Sequence, residues 1–109
     1  MIHIANKKTH RGIGIYVGRP TVLGNPFAIG KDGDRTEVIH KYRHWLWKEM
    51  QHFDGQVYQT LLNLTRIART GNLTLVCWCH PEPCHADVLQ SCVEYMLGEK
   101  GEGGEDGRR

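Results

Sequence analysis

No run of apolar residues in this chain approaches the roughly 20 needed to cross a bilayer, and Met1 to Lys8 lacks the apolar core of a secretory signal. Both absences predict a cytoplasmic protein with no membrane partner. Charge of one sign is also scarce. The formal net charge is +2, and Gly98 to Arg109 holds four acids against three bases, which leaves about +3 on the rest. That weak excess argues against a nucleic-acid binder. The basic patch Lys7, Lys8, His10 and Arg11 comes with no stacking motif or recognition helix. No internal repeat interrupts the chain. A length of 109 residues, 39% hydrophobic and 24% charged, fits one globular domain with one core. The boundary is expected near Leu97, giving a domain over 1–97 and a disordered Gly/Glu-rich tail over 98–109.

What is present reads as alternating strands and helices. Met1 to Ala5 alternates apolar and polar residues, and Ile13, Ile15 and Val17 recur at a period of two, so both predict short strands. Arg19 to Gly33 collects Pro20, Gly24, Pro26, Gly30 and Gly33, the composition of a loop. Loops of this length without secondary structure are uncommon and tend to be functional or disordered, and Leu23, Phe27 and Ile29 argue for order. Asp34 and Glu37 form a capping box ahead of an amphipathic helix carrying Val38, Tyr42, Trp45, Leu46 and Met50. A second helix follows Asp54, with Val57, Leu61, Leu64 and Ala68 inward, and ends near Gly71; the two are expected to pair. Leu73 to Cys79 is almost wholly apolar, the pattern of a central strand covered on both faces. Val88, Leu89, Cys92, Val93 and Met96 mark a third helix. The expected architecture is a small Rossmann-like layered α/β fold, its short sheet centred on 73–79 and covered by about three helices.

Three of the four cysteines lie in Cys77-Trp78-Cys79-His80-Pro81-Glu82-Pro83-Cys84-His85, at the carboxyl end of that strand. Ligands collect at such ends in α/β sheets. Strand alternation predicts Cys77 and Cys79 on one side and Trp78 on the other. Cys84 and His85 open the last helix, where free N–H groups and the helix dipole favour an anion and lower the pKa of a thiol. Cys84 is therefore the first candidate for a reactive thiolate, with His85 to orient it or bind a ligand. A phosphatase-type loop is disfavoured, because the residues six after Cys77, Cys79 and Cys84 are Pro83, His85 and Gln90 rather than arginine. Covalent haem needs Cys-x-x-Cys-His, and Cys79-x4-Cys84-His85 has the wrong spacing. Zinc is the alternative cofactor: Cys77, Cys79 and Cys84 with His85, or His80 in its place, supply four ligands, without the usual Cys-x2-4-Cys knuckles. Cys77 and Cys92 also fit plain core positions, since free cysteine is among the most buried residues.

The loop Gly18-Arg19-Pro20-Thr21-Val22-Leu23-Gly24-Asn25-Pro26-Phe27 places an arginine and several backbone N–H groups after a strand. Together with Cys77-Trp78-Cys79, Pro81, Pro83-Cys84-His85 and Asp87, it resembles the signature of small bacterial and phage proteins grouped as a domain-of-unknown-function family, number 4326. The resemblance runs from Tyr16 to Leu89 and implies that the loop and the Cys-His turn act together. It carries no activity with it. The resulting expectation is a cleft around a small anionic, nucleotide-like ligand. Arg19, Gly24 and Asn25 form one wall, and Cys79, Cys84, His85 and Asp87 the other. Asp87 is a candidate general base or acceptor for a sugar hydroxyl, and equally an acid that stabilises a helix N-terminus.

Overall fold

The computed structural model describes residues 1–98, so the expected tail over 98–109 lies, apart from Gly98, outside the described residues. Three strands, β1 (Ile2–Asn6), β2 (Ile15–Tyr16) and β3 (Leu73–Cys77), and three helices, α1 (Arg35–Glu49), α2 (Gln56–Thr70) and α3 (His85–Met96), follow one another in the order β1-β2-α1-α2-β3-α3. The sheet order is β1-β3-β2 with both pairings parallel, so the most apolar strand is the central one. The fold is a small layered α/β fold, as expected.

Alternation along β3 divides the two faces. Leu73, Leu75 and Cys77 join the buried cluster that contains Tyr42 and Leu46 of α1, Leu61 and Leu64 of α2, and Leu89 and Val93 of α3. Complete burial of each such leucine stabilises the fold by roughly 1.5–3 kcal/mol. Val76 points the opposite way, toward the segment between β1 and β2, where a Cβ on Gly14 would come within 2.6 Å of its side chain. Helices thus cover one face and a loop crosses the other.

Three features differ from expectation. β3 stops at Cys77, two residues early, because Lys7 donates its N–H to the Cys77 carbonyl at 2.7 Å and the chain then turns. β2 is only Ile15–Tyr16; Ile13 is 97% exposed and belongs to the preceding loop. The first two helices are joined mainly through α3, which packs against both. The capping box of α1 forms as predicted, with Glu37 N–H donating to Asp34 Oδ1 and Asp34 N–H to Glu37 Oε1, each at 2.8 Å. No helix among the described residues is long and apolar enough to cross a membrane.

Candidate functional site

A cleft of about 310 Å³ opens beyond the carboxyl ends of β2 and β3. The loop following β2 contributes Gly18, Arg19, Asn25, Phe27 and Ile29, and the turn following β3 contributes Trp78, Cys79, Pro83, Cys84 and His85. Tyr16 and, from α1, Arg35, Val38 and Ile39 complete the lining. The two sequence segments therefore face each other across one space.

The loop keeps its shape through polar ties to α1. Asn25 Nδ2 donates to the Val38 carbonyl at 3.2 Å, and its Oδ1 accepts from Phe27 N–H at 2.9 Å. The Tyr42 hydroxyl donates to the Leu23 carbonyl at 2.7 Å, deep in the core, where burial pushes the phenol's pKa up. Gly24 does not line the cleft. It packs so closely on Arg19 that a Cβ there would lie 2.9 Å from the Arg19 backbone N and Cα. Gly24 and Asn25 thus shape the wall that carries Arg19, and Asn25 has both polar atoms of its side chain occupied within the protein.

The opposite turn is clamped from two sides. Asn6, at the end of β1, donates from Nδ2 to the Trp78 and His80 carbonyls at 3.1 and 2.7 Å. Arg35 Nη1, at the start of α1, donates to the Pro83 carbonyl at 3.0 Å. Beyond the ladder, Trp78 is 51% exposed, and its Nε1 donates to the Tyr16 hydroxyl at 3.0 Å. Lys7 Nζ lies 5.1 Å from the Tyr16 ring centre and 6.0 Å from that of Trp78, within cation–π range.

Cys77 and Cys79 do not share a site. Cys77 is sealed in the core, whereas Cys79 is half-buried in the cleft wall, because the strand ends between them. Cys77 instead meets Cys84, their sulfurs 3.3 Å apart. The Cys84 thiol donates to Cys77, and backbone N–H groups of His80 and Cys79 add to that donation, so Cys77 titrates well below an ordinary thiol. Cys84 moves the other way: donating a hydrogen bond to Cys77 and being buried both raise its pKa, although Ala86 N–H donates to its sulfur at 3.3 Å. This corrects the expectation of a Cys84 thiolate. The helix terminus supplies Cys84 with one N–H, and the tight turn supplies Cys77 with two.

His85 is 9% exposed and lines the cleft. Its Nε2 lies 2.7 Å from the Val17 carbonyl, which can only accept, so Nε2 carries a proton and Nδ1 is the nitrogen left to accept. Burial lowers its pKa and keeps the ring neutral. Asp87 is exposed and outside the lining; its Oδ2 accepts from Cys84 N–H at 2.9 Å and closes a capping box on α3. The helix-stabilising role is the one the geometry gives it. Among the described residues, no group of three or more His, Cys, Asp or Glu is arranged to hold a metal ion. The four zinc candidates are split instead: Cys77 pairs with Cys84, His85 is bonded to Val17, and Cys79 stands in the cleft wall.

Arg35, Tyr16 and Trp78 are the lining residues that sequence reasoning passed over. Arg35 follows directly on the Asp34–Glu37 capping box, and its place at the first helical position was the available signal. No curated protein and no solved structure matches the chain. A family model described as "Domain of unknown function (DUF4326)" matches residues 2–95, covering both walls of the cleft, and the chain belongs to that family.

Proposed function

We propose that the cleft binds a small anionic, nucleotide-like ligand, of the size of one nucleoside monophosphate. The observation that carries this reading is the charge of the lining: among the described residues that form it, Arg19 and Arg35 stand without any Asp or Glu. Guanidinium groups bind phosphate or carboxylate through paired N–H donors. The start of α3, at Cys84 and His85, adds the positive end of a helix dipole to the same space. Trp78, Tyr16 and Phe27 offer aromatic surface for a base. A volume of about 310 Å³ is at the small end of ligand pockets, which favours one base and one phosphate over a dinucleotide.

The test is a thermal-shift panel of AMP, GMP, CMP, UMP, the matching nucleosides and inorganic phosphate, each with and without EDTA. A monophosphate at 100 times its Kd adds about 2.7 kcal/mol of stability, a shift of many degrees in a domain of this size. The expected result is a shift with monophosphates, a smaller one with nucleosides, and its loss in Arg19→Ala. A flat response across the panel overturns the reading. A melting curve that collapses with EDTA alone supports the zinc alternative in its place.

A further inference from the structure

Cys77 and Cys84 are brought to a sulfur separation of 3.3 Å from opposite ends of a turn, one at the end of β3 and one at the N-cap of α3. Contact so close between two free thiols is not needed for packing: the other buried sulfurs, Cys92 and Met50, meet as a thiol on a thioether, and the remaining buried core is aliphatic and aromatic. The two sulfurs also differ in access. Both are buried, Cys77 at 0% and Cys84 at 3% exposed, but of the two Cys84 is the one that borders the cleft. Cys84 thus borders the space where a small molecule arrives, and Cys77 lies on its core side. That is the arrangement of an attacking and a resolving cysteine.

We propose that Cys77 and Cys84 form a peroxide-reactive dithiol that closes to an intramolecular disulfide. The inference is independent of the nucleotide reading, since it rests on the sulfur pair and on the side from which Cys84 is reached. With Cys77 titrating below an ordinary thiol, the ionised pair keeps one proton, which Cys84 donates along the hydrogen bond that joins the sulfurs. When that proton passes to Cys77, the Cys84 thiolate attacks one oxygen of hydrogen peroxide. The O–O bond breaks, Cys84 becomes a sulfenic acid, and the departing hydroxide takes the Cys77 proton to give water. The Cys77 thiolate then attacks the Cys84 sulfur, the S–S bond forms, and a second hydroxide leaves. Two electrons pass from the sulfurs to the peroxide, and two thiol sulfurs end as one disulfide. The sulfurs must approach by about 1.3 Å to reach the usual bond length of about 2.05 Å. Backbone N–H groups of Cys79 and His80 at Cys77, and of Ala86 at Cys84, stabilise the negative charge wherever it resides.

The experiment treats the folded, full-length chain with a few equivalents of hydrogen peroxide, blocks remaining thiols with N-ethylmaleimide and maps the bonds by mass spectrometry. Trypsin is unsuitable, because no Lys or Arg falls between Arg69 and Lys100 and all four cysteines remain on one peptide. Chymotryptic cleavage after Trp78 and Leu89 separates Cys77 from Cys84, and both from Cys92. The expected result is a loss of two hydrogens per chain and a peptide pair joined through Cys77 and Cys84. The link persists in Cys79→Ser and Cys92→Ser. In Cys77→Ser the Cys84 sulfenic acid accumulates and is trapped by dimedone. The wild-type map decides the matter even if a variant fails to fold. An unchanged mass, a link through Cys79 or Cys92, or a disulfide between two chains overturns the proposal.

Discussion

His85 Nε2 donates to the Val17 carbonyl across 2.7 Å, and this bond joins the two halves of the cleft. Val17 leads into the arginine loop, and His85 opens the helix after the Cys-His turn. The Tyr42 ring meets the imidazole edge-on, with centroids 5.2 Å apart, and fixes its orientation from the α1 side. A titratable group thus holds the site together in its neutral form.

Stability should consequently fall in acid. The folded state lowers the pKa of His85, so below its ordinary value of 6.5 the unfolded chain takes up a proton that the folded ring refuses. The loss begins as pH drops through that value and continues until the folded ring also protonates, at up to about 1.4 kcal/mol per pH unit. Chemical denaturation between pH 8 and 5 should show this slope, and His85→Gln should flatten it. His85→Ala should cost about 1–3 kcal/mol at neutral pH, because the buried Val17 carbonyl loses its donor.

Asn6→Ala removes two hydrogen bonds, to the Trp78 and His80 carbonyls. At about 1 kcal/mol each, the expected loss is about 2 kcal/mol. Limited chymotrypsin digestion should cut after Trp78 sooner in the variant than in the parent chain. Equal cleavage rates would mean that Asn6 does not hold the turn.

Gly24→Ala places a methyl group 2.9 Å from the Arg19 backbone N and Cα, where no flexible side chain can give way. Loop displacement should cost roughly 1–3 kcal/mol. On the nucleotide reading, it should also weaken the thermal shift given by monophosphates. Thermal melts with and without ligand separate the two effects.

For Asp87 the two roles make opposite predictions. As the partner of the Cys84 N–H in a capping box, it should cost about 0.5–2 kcal/mol when changed to alanine and much less when changed to asparagine. Ligand-induced shifts should survive in both variants. A loss of ligand response in the asparagine variant would return Asp87 to the binding site.

At pH 7.5 the folded chain should already carry close to one thiolate, seen as absorbance at 240 nm, although an ordinary thiol titrates near about 8.5. The Cys84 thiol and two backbone N–H groups, all donating to Cys77, are the cause. Cys77→Ser should remove that absorbance if the charge resides on Cys77, and Cys92→Ser should leave it in place.

The local structure was written in local chemistry. The Asp34–Glu37 box, the period-3.6 stripes of α2 and α3 and the apolar run from Leu73 each act over a few residues, and each element formed where its pattern lay. The family signature was legible for the same reason: its two segments are continuous in sequence. The end of β3 was not, because an N–H from Lys7, 70 positions away, donates to the Cys77 carbonyl, after which the chain turns.

The sequence by itself determined that the loop and the Cys-His turn carry the candidate site, since arginine, cysteine and histidine gathered around prolines and glycines have little to offer a core. Tertiary structure alone decided the division of labour within it. Packing of α3 against β3 put Cys84 beside Cys77 rather than Cys79 and closed His85 onto Val17, and α1 brought Arg35 into the cleft that Arg19 also lines. Ionisation followed the same contacts. A thiol's charge goes where the most N–H and S–H donors converge, and that convergence depends on groups distant in sequence.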